Sequence, residues 1–350
     1  MMDGRPPLDG TLVIDLSVGI AGGYCTKLLA DGGGEVLKIE PPEGDPLRRW
    51  TASGARIADG DDGALFQFLA GSKQSIVADP DRSSDVDLAG DLVRGADLVV
   101  WTPGSRLAEH PEFSPRALAA RAPRAVVAAI TPFGLEGPWA GRAATSFTVQ
   151  AWSGGPGQRG APDRPPVVAG GRIDEWIAGT FAAVGILSSR WRTSATGRGE
   201  LLDVSMLESS ILTHAMHPVS FFTIAGRPYR ANRTVNLPDV HRAKDGYVGF
   251  MVVTGQQWFD FCAMIGRSEW REDESLLRFD RRSARRAELW PVIQAWMSER
   301  TISEIIELAA ALRIPVAEVG TGATIPTFDH FVERKFFVRN PRGGFLQPDV

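Results

Sequence analysis

Short apolar runs alternate with segments of helical periodicity over the first two thirds of the chain. Runs of four to six mostly apolar residues are typical of buried strands, whereas apolar residues at i, i+3 and i+4 are typical of helices. The predicted strands are residues 11–16, 35–39, 75–78, 96–101, 125–130 and 201–204. The predicted helices lie around 27–29 and at 86–93, 115–120, 178–189 and 206–223. Strands joined through helices predict a doubly wound α/β domain with a parallel sheet.

The pattern changes after Ala225. Residues 227–245 show no clear periodicity and are interpreted as a linker. Strands are predicted at 247–253 and 315–319, and helices at 256–265, 285–297, 304–312 and 328–337, the last rich in Phe. We therefore predict a large domain over residues 1–225 and a smaller α+β domain over residues 226–337.

A glycine-rich turn follows the first predicted strand. Strand, glycine turn and helix resemble a dinucleotide-binding fingerprint. The turn contains Gly19, Gly22 and Gly23, and no G-x-G-x-x-G pattern fits these positions. Without the second glycine of that motif the backbone is not set to approach a pyrophosphate. The turn therefore does not favour a nicotinamide or flavin site.

A second glycine-rich loop, residues 165–179, delivers two adjacent carboxylates, Asp174 and Glu175, to the start of a predicted helix. Acidic side chains are stabilised there by the positive end of the helix dipole. Glycines Gly170 and Gly171 allow a ligand to approach the backbone closely. Two interpretations stay open: a reactive carboxylate pair, or a helix N-cap at Asp174 followed by a first-turn acid at Glu175.

Composition excludes several classes of function. The chain has 350 residues, 43% of them hydrophobic, and a formal net charge of -4, which gives no reason to expect a nucleic-acid or membrane-surface partner. Two distant cysteines, Cys25 and Cys262, fit a reducing compartment, so we expect a cytoplasmic protein. No metal site is expected, because no histidine cluster has a second acidic or histidine partner. Serine-hydrolase and P-loop motifs are absent from the sequence.

Short motifs in a fixed order resemble the family III CoA-transferases, a group that includes the formyl-CoA and carnitine CoA-transferases and the methylacyl-CoA racemases. The resemblance covers nearly the whole chain. The motifs are Leu8-Asp9-Gly10, Val13-Ile14-Asp15-Leu16-Ser17, residues 29–40 (LADGGGEVLKIE), Gly44-Asp45-Pro46, Pro103-Gly104, Phe133-Gly134, Gly137-Pro138, Gln150-Ala151, Ser153-Gly154, Thr196-Gly197-Arg198-Gly199, Asp203-Val204-Ser205-Met206, Asp245-Gly246-Tyr247 and Ile314-Pro315-Val316. Each motif is short, and the specificity lies in their order and spacing.

The resemblance implies a fold, a reaction and a set of ligands. It implies a Rossmann-like large domain, a smaller α+β domain and an interlocked dimer. The substrates would be an acyl-CoA and a carboxylic acid, with no permanently bound cofactor. A carboxylate nucleophile would pass through an acyl anhydride and a carboxylate-CoA thioester. The positions expected to hold CoA are Ile20, Ala21, Ala78, Asp79, Trp101 and Gly104.

The chain departs from the family pattern at the expected nucleophile. An ungapped alignment from Pro165 to Gly179 places Glu175 at the family's catalytic Asp, with Asp174 one residue early. Thr145-Ser146 stands where an aromatic-Asp pair is common, and Asp81 where a lysine often follows the third strand. We expect Glu175 to be the nucleophile before Asp174.

Two alternatives follow from the departures. The chain could be a non-catalytic transferase-like half that binds CoA or completes a dimer, with a homodimer or a tandem domain as partner. Racemisation is not favoured, because residues 146–151 lack the histidine of the racemase branch. Residues 338–350 would begin a segment that returns to the large domain. Because family chains continue further, we expect a tandem or trimmed chain with apolar surface left uncovered.

Overall fold

The computed structural model describes residues 5–161, 164–214, 216–226 and 237–349, without the side chains of 217, 218 and 221. The chain folds as two compact units. The first comprises Met1–Gly157, Val168–Tyr229 and Lys335–Val350, and the second comprises Gln158–Val167 and Arg230–Arg334.

A six-stranded parallel sheet forms the centre of the first unit. Its strands are β1 (Leu12–Leu16), β2 (Glu35–Glu40), β3 (Gln74–Val77), β4 (Leu98–Trp101), β5 (Val126–Thr131) and β6 (Glu200–Ser205). They are arranged in the order β3-β2-β1-β4-β5-β6, and every neighbouring pair is parallel. This is the strand order of a Rossmann-type doubly wound sheet. The predicted α/β fold class is therefore confirmed.

Helices cover both faces of this sheet. The helices of the first unit are α1 (Gly19–Asp31), α2 (Ala64–Ala70), α3 (Ser83–Arg94), α4 (Arg106–Glu109), α5 (Pro115–Arg121), α6 (Ser146–Trp152), α7 (Ile173–Thr196), α8 (Met206–His214) and α9 (Met216–Ala225). One core contains buried residues of α3, α4 and α5, and the other contains those of α1 and α7. Because both faces are covered, β4 and β5 are buried along their whole length and read as continuous apolar runs.

The second unit has its own sheet and core. Strands β7 (Val240–Arg242), β8 (Tyr247–Phe250) and β9 (Val316–Glu318) form an antiparallel sheet in that order. The helices are α10 (Gly255–Met264), α11 (Phe279–Ala284), α12 (Arg286–Ser298), α13 (Ile302–Ala311) and α14 (Asp329–Glu333). Buried apolar side chains, including Trp258 and Phe261, form a core separate from those of the first unit.

Near the end of the chain, β10 (Phe337–Arg339) and β11 (Leu346–Pro348) pair as an antiparallel hairpin. Both strands belong to the first unit. The helix predicted over residues 328–337 is therefore wrong beyond Glu333. Its apolar residues recur often enough for a helix, but Lys335 adopts a left-handed conformation that ends helical geometry before the strand.

Other element predictions need correction. The strand predicted at 247–253 ends at Phe250. Residues 134–160, interpreted as a loop, contain α6, which begins with a capping box between Thr145 and Thr148. Of the predicted linker, residues 227–236 lie outside the described residues, and residues 240–242 form β7. Helix α7 is twice the predicted length, with 24 residues, and begins before the two carboxylates.

Candidate active site

The candidate site lies where the carboxyl ends of β1 and β4 meet. Leu16 pairs with Trp101 in the sheet, so the loops after both strands leave from neighbouring points. The Thr102 hydroxyl links them, because it accepts the Val18 amide hydrogen at 2.8 Å and lies 3.1 Å from the Val18 carbonyl. Chain connections diverge on either side of this point, and open α/β sheets bind their ligands in the resulting crevice.

Close packing of α1 against α7 brings Glu175 to this crevice. A Cβ at Gly179 would lie 2.5 Å from the Ala21 carbonyl oxygen, a distance that real Cβ atoms do not reach. Glycine at this position therefore permits direct backbone contact between the two helices. Glu175 lies one turn before Gly179, so its side chain reaches the first turn of α1.

The Glu175 carboxylate is held by one backbone and one side-chain group. Its Oε2 accepts the Ile20 amide hydrogen at 3.2 Å. Its Oε1 accepts a hydrogen bond from Arg172 Nε at 2.6 Å, and Arg172 Nη2 lies 2.6 Å from the same oxygen. The side chain is buried, with 7% of the residue's surface exposed. Burial raises the pKa of Glu175 above its ordinary value, although the Arg172 charge opposes this shift.

Asp174 points away from Glu175, towards α6. Its Oδ1 accepts hydrogen bonds from the Ser146 hydroxyl and, at 3.3 Å, from Gln150 Nε2. Asp174 has no exposed surface, and its Oδ2 has no hydrogen-bond partner among the described residues. The alternative that Asp174 is a helix N-cap is wrong, since the N-cap is Arg172 in a left-handed conformation with no side-chain cap.

A buried ion network supports the turn between β1 and α1. Asp15 accepts the Ser17 amide hydrogen at 3.0 Å and lies 3.2 Å from the Lys73 ammonium group. Lys38 donates to the Ser17 carbonyl at 2.6 Å. Burial would raise the pKa of Asp15, but Lys38 and Lys73 together with hydrogen bonds lower it to about 2. The network therefore fixes the backbone that leads to the Ile20 amide.

Four of the residues expected to hold CoA lie along this edge. Ile20 and Ala21 form the first turn of α1 and are both buried. The Trp101 indole N–H donates to the Ala108 carbonyl at 3.1 Å and the ring packs into the core. Gly104 is exposed, with a left-handed backbone. A Cβ there would lie 3.5 Å from the Val18 side chain.

The other two, Ala78 and Asp79, follow β3 at the sheet edge. Strand β3 is two places from β1, which corresponds to about 10 Å at the usual strand spacing. Ala78 is buried, and the Asp79 carboxylate accepts the Asp81 amide hydrogen at 3.1 Å. The Asp79 amide hydrogen is donated to the Asp85 carboxylate at 3.0 Å, and the Ala78 amide hydrogen to the Glu40 carbonyl at 2.8 Å, so neither amide is a free donor for an anionic ligand.

Three contacts of the carboxylate pair escaped sequence reasoning. Arg172 precedes Glu175 by three residues, a spacing that places two helical side chains together, and this signal was available. Ser146 and Gln150 lie about 25 residues before Asp174 on α6, in a stretch that the sequence predicts to be a loop. Gln150 also exchanges hydrogen bonds with the Ala169 backbone, which ties the glycine-rich loop to α6.

Residues 5–161, 164–214, 216–226 and 237–349 contain no group of three or more His, Cys, Asp or Glu side chains that could hold a metal ion. Within the same ranges, no helix has both the length and the apolar character needed to span a membrane.

Comparison with known proteins is consistent with this geometry. The chain is 28% identical over 359 aligned positions to the succinyl-CoA–D-citramalate CoA-transferase of Chloroflexus aurantiacus, covering 100% of the chain and 87% of that protein. It is 29% identical over 352 positions to the acetyl-CoA:oxalate CoA-transferase of Acetobacter aceti, covering 98% and 88%.

A solved structure and a family model agree with these relatives. The fold matches a CaiB/BaiF family protein from Brucella suis with a TM-score of 0.83 at 24% identity, covering 96% of this chain and 89% of that one. The model of CoA-transferase family III matches residues 8–348. With nearly the whole chain matched, the chain belongs to CoA-transferase family III and is an enzyme of that family.

Proposed function

We propose that the chain is an acyl-CoA:carboxylate CoA-transferase in which Glu175 is the nucleophile. The observation that carries this proposal is the position of the Glu175 carboxylate. It is buried at the carboxyl end of β1, on the Ile20 amide, where a doubly wound sheet binds its ligand. Asp174 is engaged by Ser146 and Gln150 on the other side, so its carboxylate has a positioning role.

The reaction needs no general base, because a carboxylate is already ionised at neutral pH. A Glu175 oxygen forms a bond to the acyl carbon of the donor, and the carbon–sulfur bond breaks to release CoA thiolate. The thiolate then attacks Glu175 Cδ and displaces the donor acid as its carboxylate, leaving a Glu175-CoA thioester. The acceptor carboxylate reverses both steps and leaves as its CoA thioester, which restores Glu175.

Water must be excluded from these intermediates, since both the anhydride and the thioester hydrolyse. Glu175 is only 7% exposed and lies one turn from the close contact of α1 and α7 at Gly179. Arg172, in the glycine-rich loop that Gln150 ties to α6 through Ala169, covers Glu175 Oε1. This environment therefore suits anhydride and thioester intermediates, which must be protected from hydrolysis.

The substrate acids are best sought among dicarboxylates. Citramalate, oxalate and the succinyl group in the names of two relatives are all dicarboxylic. A panel of succinyl-CoA and acetyl-CoA donors with oxalate, citramalate and other short diacids covers this class.

CoA would be the substrate and not a resident cofactor. We place it along the backbone of Ile20, Ala21 and Gly104, extending past Trp101 towards Ala78 and Asp79. Both cysteines are free and buried, in keeping with a cytoplasmic enzyme. We also propose that residues 1–225 form the CoA-binding domain, that residues 226–337 form the smaller domain, and that residues 338–350 begin a segment that returns to the large domain. The active form we propose is a homodimer.

The test is mass spectrometry of the intact chain after incubation with acyl-CoA. The wild type should gain a covalent CoA adduct on the peptide that contains Glu175. Glu175→Gln should abolish the adduct, because an amide is a poor nucleophile. Asp174→Asn is the matched control and should keep it. An adduct that survives Glu175→Gln and vanishes in Asp174→Asn would reverse the assignment.

A second measurement follows the oxygen atoms. The donor acid leaves with an oxygen of Glu175, and the acceptor supplies its replacement. Turnover with an acceptor labelled with heavy oxygen should therefore place the label in the Glu175 peptide. Exchange of CoA between acids without that label would contradict an anhydride at Glu175.

A further inference from the structure

We infer that Arg172 is a catalytic residue of this chain, which holds Glu175 Oε1 and stabilises the negative charge that forms on it. The inference rests on the proposed function and assigns the role of one more side chain in the same site. Arg172 touches the reacting carboxylate directly, through Nε and Nη2, each 2.6 Å from Oε1.

The two Glu175 oxygens have different partners, which separates their roles. Oε1 receives the fork of the Arg172 guanidinium, whereas Oε2 has a single, longer bond of 3.2 Å to the Ile20 amide. Gly19 has a left-handed backbone, and a Cβ there would lie 3.7 Å from Oε2. A Cβ at Gly19 would thus make an ordinary van der Waals contact with Oε2. Because Oε2 lacks the guanidinium fork that holds Oε1, we assign Oε2 as the oxygen that attacks the donor.

Charge then develops on Oε1 twice in each turnover. When CoA thiolate attacks Glu175 Cδ in the anhydride, the electron pair of the C=O bond moves onto Oε1. It returns when the donor carboxylate leaves. When the acceptor attacks Cδ of the thioester, the same movement occurs on the same oxygen. A guanidinium at hydrogen-bond distance from Oε1 stabilises both tetrahedral states, as a preformed oxyanion site does.

The backbone conformation of Arg172 is one that arginine rarely adopts, which is consistent with a specific role for its side chain. Arg172 has φ 55° and ψ 45°, the left-handed region that favours glycine. A non-glycine residue is disfavoured there, because its Cβ comes too close to the following carbonyl oxygen. The conformation turns the side chain back over the first turn of α7, which places the guanidinium on Glu175. Glycine at this position would relieve the strain and lose the guanidinium.

Because glycine adopts the left-handed conformation readily, Arg172 can be replaced by glycine without disturbing the backbone. Arg172→Gly fits the left-handed backbone, so we expect it to fold, and thermal unfolding measures how far the lost ion pair with Glu175 lowers the stability. Arg313→Gly is the matched control: it also removes an arginine from a left-handed position, φ 56°, in the second unit, and Glu175 has no bond to Arg313 among the described contacts. Arg172→Lys keeps the charge without the planar fork.

We expect kcat for CoA exchange to fall on the order of a hundredfold in Arg172→Gly, the usual effect of losing one oxyanion donor. The KM for acyl-CoA should change little. Guanidinium chloride at low millimolar concentration should restore part of the lost rate, and Arg172→Lys should be intermediate. Arg313→Gly should keep the wild-type rate.

The pH dependence of kcat/KM distinguishes a catalytic role of Arg172 from a purely structural one, because a structural role would leave its acid limb unchanged. Burial raises the pKa of Glu175, the Arg172 charge and hydrogen bond lower it, the Asp174 charge raises it and the Ile20 amide lowers it. Removing Arg172 therefore leaves only the Ile20 hydrogen bond to oppose the two raising effects. Glu175 must be ionised to attack, and activity falls as the pH drops through its pKa. The acid limb of kcat/KM should therefore shift to higher pH in Arg172→Gly.

The outcomes separate this inference from the proposed function. Wild type that forms an adduct and exchanges CoA, with Arg172→Gly equally active and an unmoved acid limb, overturns the role of Arg172 and leaves the function intact. Wild type without any adduct overturns both. Rate loss with guanidinium rescue and a shifted acid limb supports the role.

Discussion

At the scale of single residues, adjacent carboxylates acquire different roles from their surroundings. Successive positions on a helix are about 100° apart, so Asp174 and Glu175 cannot face the same neighbour. Asp174 meets the polar side chains of α6, whereas Glu175 meets a backbone amide and a guanidinium. The sequence predicts that both stand at a helix start. It cannot predict which neighbours lie on each side, because those come from distant parts of the chain.

The buried Asp15 leads to a stability prediction. Asp15→Asn leaves Lys73 without its carboxylate and leaves Lys38 with Asp45 at 3.1 Å. We expect the free energy of unfolding at neutral pH to fall by about 3–5 kcal/mol, as when one partner of a buried ion pair is removed. Urea unfolding measures it. Asp81→Asn, whose pair with Arg106 is exposed, should leave the free energy of unfolding nearly unchanged.

The same residue predicts an acid dependence. The folded-state pKa of Asp15 is lowered to about 2 from a reference value of 3.8. The stabilisation is therefore complete above the reference value and is lost as the pH falls through the interval down to about 2. The stability difference between wild type and Asp15→Asn should shrink over that interval. A difference that stays constant as the pH is lowered would contradict the assignment of a buried, ionised Asp15.

At the scale of elements, the sequence predicted buried strands better than it predicted loops and helix ends. Strands β4 and β5 are continuous apolar runs, and their positions were predicted within one or two residues. Helix α6 escaped because Gly and Pro surround a short segment whose start is marked by Thr145 and Thr148 alone. The start of α7 was missed because its N-cap is an arginine, a residue type that does not favour the position.

The close contact of α1 and α7 predicts that Gly179 and Gly185, both on α7, respond differently to replacement by alanine. In Gly179→Ala the new Cβ would collide with the Ala21 carbonyl, so the helices must separate. We expect lower stability and a strong loss of adduct formation, because a shift of about 1 Å can cost on the order of a hundredfold in rate. Thermal unfolding and adduct mass spectrometry measure the two effects.

Gly185→Ala is the control on the same helix. A Cβ there would make an ordinary contact of 3.5 Å with the Leu202 side chain. Alanine is also the better helix former by about 1 kcal/mol. Gly185→Ala should therefore be as stable as the wild type or more stable, and fully active. Equal behaviour of the two variants would show that the close approach of α1 and α7 does not position Glu175.

At the scale of the whole molecule, two helices of the first unit, α7 and α9, expose several large apolar side chains. One face of α7 exposes Phe181, Val184, Leu187 and Trp191, and Trp191 has 83% of its surface exposed. Helix α9 exposes Met216, Val219, Phe222 and Ile224. The family resemblance implies a dimer, and an exposed apolar surface is consistent with that expectation. The spacing of apolar residues in the sequence is the same for a helix face buried in the core and for one that contacts a partner, so the sequence did not reveal this surface.

The last prediction concerns the α7 face of Phe181, Val184, Leu187 and Trp191. Contiguous exposed apolar surface on helices is typical of association sites, and a second copy of the chain is the partner we propose. Val184→Glu places a charge at the centre of this face, and burying an unpaired charge is strongly unfavourable. We expect wild type to scatter light as a dimer and Val184→Glu as a monomer. Val332→Glu, at an exposed apolar residue of the second unit, is the control and should remain dimeric. A monomeric wild type, or a dimer that Val184→Glu leaves unchanged, would show that this face has another role.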